Sequence, residues 1–432
     1  MQRLDVLLIA ESADHTLVSV PLVAWSMYVA LSELHNVHII TQVRHRASFI
    51  DYGLTEGVDF TAIDSEAIAK PVYHLTKLLR GGESKAWTLD TAMKYPGQLF
   101  FEHLLWKAFK QRLISGEFDV VHRISPVSPT IPSPISTKCK KYNIPFIWGP
   151  IAGGLSWPAQ FSSEKSKEKE WLTNIRDMYK LLPYYRSTRE HANALIVNSR
   201  ATFEQMDQKY HHKTVYIPEN AIDPTRFDLN NQNSVEKPYK VIFIGRLVPY
   251  KCADAAILGL IKHLRNEDVV FHILGDGPEM NYLKGVVDQH ELHSSVVLHG
   301  NVPHTELNNH IKDADILLFP SIREFGGGVV LEAMALGIMP IVVDYGGPSE
   351  LVTRDTGILL ELGTKEVLIS QITEVFTDLI NEPEMVRLKG ENAQKRVTDL
   401  FTWDKKAIMI SQVYEWVIGN REKPDFQIPL KV

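Results

Sequence analysis

Short apolar runs recur along this chain, and between them polar and apolar residues follow helical spacing. The runs cover 5–10, 37–41, 119–124, 144–148, 194–198 and 215–218, and after position 238 they cover 240–245, 269–275, 296–300, 316–320 and 341–344. They are rich in Val, Ile, Leu and Phe, and many end on Gly or Pro. Near-continuous apolar runs of this length mark strands covered on both faces of a parallel sheet. Strands alternating with helices predict right-handed crossovers, with ligand sites at the carboxyl ends of the strands. Pro218, Pro224 and the polar stretch 230–237 interrupt the series. The break predicts two α/β domains, 1–218 and 219–400, facing a cleft suited to a ligand. A terminal helix and tail, 401–432, can pack back on the first domain, with Thr402 placed to cap the helix.

Composition narrows the class. A chain of 432 residues exceeds one ordinary core. Hydrophobic residues at 44% and charged residues at 23% fit a soluble globular protein. The formal net charge of −6 argues against a general nucleic-acid binder. Two cysteines, Cys139 and Cys252, supply neither a disulfide framework nor a cysteine-rich zinc site, and they suit a reducing compartment. The start of the chain runs directly into a strand-like segment, without a signal-peptide pattern, and no apolar run reaches membrane-spanning length. The expected location is therefore cytoplasmic, with contact at the inner face of the membrane left open.

The most informative chemistry lies at Glu324-Phe325-Gly326-Gly327-Gly328-Val329-Val330-Leu331-Glu332. Two carboxylates bracket three glycines and the start of a helical pattern. Glycines let a ligand approach the backbone. The amides of Gly327, Gly328, Val329 and Val330 are expected to be the unpaired donors of a helix start, which attracts phosphate. Glu332 follows Glu324 by about 12 Å if all were helix. One acid therefore falls at the loop and the other inside the helix. A pyrophosphate flanked by hydroxyl acceptors suggests a sugar nucleotide. Taken alone, the same stretch also reads as an ordinary glycine-rich helix start.

Further pieces follow in order, each at a strand end. They are Ile217-Pro218-Glu219-Asn220-Ala221-Ile222-Asp223, then Ile244-Gly245-Arg246-Leu247 with Lys251, then Leu274-Gly275-Asp276-Gly277-Pro278. Phe319-Pro320-Ser321 leads into Glu324, and Asp344-Tyr345-Gly346-Gly347-Pro348-Ser349-Glu350 comes after. In this order the chain resembles glycosyltransferase family 4, retaining enzymes of the GT-B fold, most strongly from about 217 to 401. The resemblance implies two doubly wound Rossmann-like domains. The acceptor would sit on the amino-terminal one and a nucleoside-diphosphate sugar on the carboxyl-terminal one.

By that resemblance Arg246 and Lys251 would hold the departing diphosphate, where fixed cations lower the barrier. Arg246 can grip two oxygens and Lys251 acts as a point charge. Glu332 would accept the ribose hydroxyls and Glu324 would face the transferred sugar. Gly245, Gly275, Gly277, Gly326, Gly327 and Gly328 would shape the donor site with the amides of Val329 and Val330. Asn301 and Val302 are candidates for backbone contact to the base. The departing phosphate would help remove the acceptor proton, so the paired-carboxylate scheme of glycosidases does not apply. The cations supply the charge a metal would, so neither metal nor other cofactor is expected. Asp313-Ala314-Asp315 has a metal-motif spacing but reads as structural.

The amino-terminal half departs from the family pattern. Its first loop, Glu11-Ser12-Ala13-Asp14-His15-Thr16, lacks the usual glycines. Gly153 and Gly154 are candidates for close-approach backbone on the acceptor side. His122 is a candidate catalytic histidine, with a packed core role as the alternative. Residues 66–115 hold eight Lys and Arg against four Asp and Glu, net +4, interleaved with aromatics such as Trp87, Tyr95, Phe101, Trp106 and Phe109. This segment is a candidate for peripheral membrane contact, or else a helix with aromatics inward and lysines outward. The expected function is sugar transfer to a glycan or lipid-linked acceptor, in surface-polysaccharide or envelope synthesis. A same-fold phosphorylase, a disaccharide synthase or a non-catalytic sugar-nucleotide scaffold are the alternatives.

Overall fold

The computed structural model describes residues 2–68, 71, 87–153, 155, 157–161, 178–227, 236–303, 306–426 and 428. It divides into two compact units. Unit 1 gathers Met1–Gly154, Lys169–Glu219 and Trp403–Gln427, and unit 2 gathers Leu155–Glu168, Asn220–Thr402 and Ile428–Val432. Each is built on one parallel sheet.

Unit 1 holds strands β1 (Asp5–Ala10), β2 (Asn36–Gln42), β3 (Phe60–Ile63), β4 (Val120–Ser125), β5 (Phe146–Ile151), β6 (Ala194–Val197) and β7 (Thr214–Tyr216). Their order is β3-β2-β1-β4-β5-β6-β7, all parallel, so the order reverses between β1 and β4. Side chains on a strand alternate between faces, and β1 shows the consequence. Val6, Leu8 and Ala10 pack in one layer with Trp25, Leu31 and Tyr414, whereas Leu7 and Ile9 pack in the other with Phe101, Leu105 and Phe109. Each such fully buried apolar side chain contributes about 1.5–3 kcal/mol of burial, which is why both faces must be covered. The helix Val20–Leu34 covers the first face together with Trp403–Val417. That last helix is also tied to unit 1 by polar groups. Ser411 Oγ lies 2.7 Å from His35 Nε2, and Lys406 Nζ donates to the Glu219 carbonyl. Thr402 does not cap this helix: its hydroxyl is buried without a hydrogen-bond partner.

Within the basic aromatic segment, Tyr95, Phe101 and Phe109 are buried in unit 1, while Lys107 and Lys110 are exposed. Trp106 stacks on Tyr142 at 5.7 Å. The inward-aromatic alternative therefore describes this part. Residues 69, 70 and 72–86, and the side chain of Trp87, lie outside the described residues. No helix among the described residues is long and apolar enough to cross a membrane.

Unit 2 holds β8 (Tyr239–Ile244), β9 (Val269–Leu274), β10 (Val296–Gly300), β11 (Ile316–Phe319), β12 (Met339–Val343) and β13 (Ile358–Leu360). The order is β10-β9-β8-β11-β12-β13, again all parallel. Strand order reverses between β8 and β11. In an open parallel sheet such a reversal leaves a crevice at the carboxyl ends of the two strands, where ligands bind.

Candidate donor site at the carboxyl edge of unit 2

The loops after β8, β9, β10, β11 and β12 all leave the same edge of the sheet, because every strand is parallel. Backbone contacts lace them together. Gly275 N–H donates to Gly300 O at 2.8 Å, Gly245 N–H to Leu274 O at 2.9 Å and Leu247 N–H to Asp276 O at 2.9 Å. The glycines are what make this possible. A Cβ on Gly275 would stand 1.9 Å from Gly245 O, and one on Gly277 would stand 2.3 Å from Leu247 O. On the other side of the reversal, Gly347 N–H donates to Glu324 O at 3.0 Å, and a Cβ on Gly347 would stand 2.0 Å from Phe325 O.

The two sides meet at Lys251 and Glu324. Lys251 ends the 3-10 turn Pro249–Lys251, and its Nζ lies 2.7 Å from Glu324 Oε2. Its path runs over Gly245, where a Cβ would stand 3.1 Å from Nζ, and over the Phe319 ring at 4.7 Å. Ile322 N–H donates to Tyr250 O at 2.9 Å, fixing the second loop to the first. The charged pair thus spans the switch point. Arg246 stands beside it, exposed, and its side chain makes no hydrogen bond or ion pair among the described residues.

The helix Gly328–Ala335 starts at this edge. Gly327, its cap residue, has φ 64°, a conformation favourable to glycine. Val330 N–H donates to Gly327 O at 2.9 Å, and Val330 is fully buried. The expectation that its amide is free is corrected: the first turn consumes it. Gly328 and Val329 keep amides without a backbone partner among the described residues and are half-buried. The Asn220 side chain lies 3.6 Å from where a Gly328 Cβ would stand. Gly326 and Glu332 are half-buried on the same loop and helix, with Glu332 four residues after Gly328. Asn301 is exposed and Val302 half-buried just beyond β10, at the outer end of the laced series.

Arg323, Trp157 and Tyr250 join the site without having been singled out from the sequence. The Arg323 guanidinium lies 5.2 Å from the Trp157 ring, and that ring lies 6.2 Å from Tyr250. Their chain neighbours Glu324 and Lys251 carried the only signal.

Asp315 sits at the opposite end of β11. Its carboxylate accepts Lys240 N–H at 2.8 Å, and burial raises its pKa to about 6. Among the described residues, no group of three or more His, Cys, Asp or Glu is placed to hold a metal ion.

Two candidates in unit 1 take structural roles. His122 lies within β4, not at its end, and is fully buried. Its Nε2 is 2.8 Å from Gly149 O and its Nδ1 is 2.8 Å from Tyr414 Oη. The carbonyl only accepts, so Nε2 carries the proton and Tyr414 donates to Nδ1. Burial holds the imidazole neutral, with its pKa lowered to about 3. Both nitrogens are used, so His122 is corrected from a catalytic candidate to a core residue. Gly153 is buried under Pro129, where a Cβ would stand 2.6 Å from the ring, so its open face is already filled. Gly154 lies outside the described residues.

Residues 225–396 match the family model described as Glycosyl transferases group 1. Among curated relatives, the phosphatidylinositol N-acetylglucosaminyltransferase GPI3 subunit of Saccharomyces cerevisiae is 25% identical over 204 residues, covering 47% of this chain and 44% of that protein. The chain spans about half the length of the curated relatives it matches. Among solved structures, a glycosyltransferase from Rickettsia africae superposes with a TM-score of 0.62 at 16% identity, over 98% of this chain and all of that one. Anabaena HepE, solved with UDP and glucose, gives 0.58 at 14% identity, over 95% of this chain and 99% of that one. The architecture is thus GT-B, and residues 225–396 fit the glycosyl transferases group 1 family model.

Proposed function

We propose that this protein moves a sugar from a nucleoside diphosphate to a glycan or lipid-linked acceptor, with retention at the sugar carbon. One observation carries the reading: a lysine–glutamate pair bridges the switch point of unit 2, beside an arginine and two helix-start amides that have no partner among the described residues. A diphosphate seated there meets Lys251, Arg246 and the amides of Gly328 and Val329. As the sugar–oxygen bond breaks, negative charge gathers on the departing phosphate, and these donors are already oriented toward it. Glu324 holds Lys251 in line and presents a carboxylate to the sugar hydroxyls. Glu332, one turn into the helix, is placed for the ribose. The acceptor oxygen attacks from the face the phosphate leaves, and the phosphate oxygen takes its proton. No metal is needed in this scheme, because cations and amides supply the positive charge.

HepE, solved with UDP and glucose, supports a nucleotide-sugar donor, and the GPI3 relative supports a lipid-linked acceptor. Thermal-shift screening with UDP-, GDP- and ADP-sugars tests the reading, since a ligand of the folded state raises its stability. A rise in melting temperature with one nucleoside series, together with release of its diphosphate, is the expected result. No shift with any of the three rejects the proposal.

A further inference from the structure

The loop after β1 keeps its shape through side chains where glycines would otherwise be expected. Asp14 is its hub. One carboxylate oxygen accepts from Thr16 N–H at 2.9 Å, Thr16 Oγ1 at 2.7 Å and Ser48 Oγ at 2.8 Å. The other accepts from His45 Nδ1 at 2.9 Å. His45 Nε2 then lies 3.3 Å from Ser12 Oγ, and Ser12 N–H donates to Ser125 Oγ at 3.1 Å. Ser12 follows β1, His45 follows β2 and Ser125 ends β4. The relay therefore joins the carboxyl ends of three neighbouring strands, at the reversal of strand order in unit 1.

Its direction follows from elementary chemistry. Burial alone would raise Asp14, but hydrogen bonds from His45, Thr16 and Ser48 outweigh it and hold the pKa at about 2. An ionised carboxylate only accepts, so Nδ1 of His45 carries a proton, and in the neutral ring Nε2 bears a lone pair. Ser12 must then donate its hydroxyl proton to Nε2. The remaining lone pairs of Ser12 Oγ are left as an acceptor of fixed orientation, strengthened by the polarised chain behind it. Asp14 and His45 are 6% and 5% exposed, whereas Ser12 is half-buried, so only the last member reaches the surface. Thr16 and Ser48 also hold Asp14, whereas His45 alone leads from it to a half-exposed residue. On the other side of Asp14, His15 bonds Ser48 at 2.8 Å and its ring lies 5.6 Å from Tyr52.

We propose that Ser12, oriented by His45 and Asp14, is a positioning residue that accepts a hydrogen bond from a hydroxyl of a sugar acceptor. A directed acceptor at the carboxyl ends of three strands suits a ligand that presents hydroxyl groups. The proposal rests on the glycosyltransferase reading.

The test follows the His45 Nε2 resonance in full-length protein labelled with 15N-histidine, titrated with the methyl glycosides of glucose, galactose, mannose and N-acetylglucosamine. At least one glycoside should give a saturable shift, lost in Ser12→Ala and kept in Ser12→Thr, with the melting temperature of both variants unchanged. If none of the four moves the resonance, or the shift survives in Ser12→Ala, the relay is not a sugar site. Release of nucleoside diphosphate is measured on the same samples. Release without a shift overturns the relay alone. A shift in protein that turns over no sugar nucleotide overturns the transfer reading and leaves a sugar-binding site.

Discussion

Lys251 meets Glu324 at 2.7 Å although they lie 73 positions apart in the chain, and the contact spans β8 and β11, the two neighbouring strands of unit 2 where the winding turns back. As a partly exposed ion pair it contributes no more than about 1 kcal/mol to stability, so its value lies in where it holds the ammonium. Lys251→Ala is expected to lower transfer by about 10²–10³-fold, the usual cost of losing one oriented donor to a developing oxyanion. The melting temperature should barely move. Lys251→Arg should fare little better, because the side chain runs tight over Gly245 and has no room for a planar fork. Single-turnover assays with the donor found by thermal shift check both.

The lacing of strand ends predicts a contrast between two glycines. Gly275→Ala places a methyl group 1.9 Å from a backbone oxygen at φ 150°. Neither loop can yield without breaking the Gly275–Gly300 bond, so a loss of about 3 kcal/mol is expected, with donor binding lost as well. Gly285 lies in the helix Met280–Gln289 with open space around it. Gly285→Ala should stabilise by about 1 kcal/mol. Urea denaturation of the two variants beside the parent protein decides.

Tyr414→Phe removes the donor to His122 Nδ1 and leaves a buried acceptor unpaired, which costs about 1–3 kcal/mol. Activity per folded molecule should stay at the parent level. The pH dependence carries its own sign. The folded pKa of His122, about 3, lies below its ordinary value of 6.5. Its contribution is therefore full above pH 6.5 and erodes as pH falls toward 3. His122→Gln keeps one donor and one acceptor but does not titrate, so its stability should fall less steeply between pH 6.5 and 4.5.

Asp315 shows the opposite sign. Its folded pKa, about 6, lies above the ordinary 3.8. The folded state favours the protonated form, so stability is greatest below pH 3.8 and declines as pH rises through 6. Asp315→Asn keeps an oxygen for Lys240 N–H and removes the buried charge. It should stabilise at pH 7.5 by roughly 2 kcal/mol, from a shift of about two pKa units reduced for partial screening, and the gain should vanish near pH 4. Thermal melts at the two pH values check it.

Eleven of the thirteen strands among the described residues announce themselves as apolar runs; β3 and β13 do not. Both lie at sheet edges, with half-buried positions at Thr61, Ala62, Ile358 and Leu359. They are also short, four and three residues, so neither gives a long apolar run. The donor-site loops were legible because glycine and charge punctuate strand ends. The partnership of Lys251 with Glu324 was not, since sequence order does not say which strands become neighbours. The Ser12–His45–Asp14 relay was hidden for the same reason: its members meet only because β1 lies between β2 and β4. His122 misled because a histidine near a strand end looks alike whether it faces a substrate or a tyrosine 292 residues away.

The helix Trp403–Val417 belongs to unit 1, although nearly all of unit 2 precedes it in the chain. During synthesis, then, the first-made sheet must wait, one apolar face only partly covered, while the bulk of the later-made unit, Asn220–Thr402, is already complete. Such an order of assembly makes the early segments the ones most exposed to chaperones and proteases. A chain halted before Trp403 would be a trap for aggregation rather than a shorter working protein.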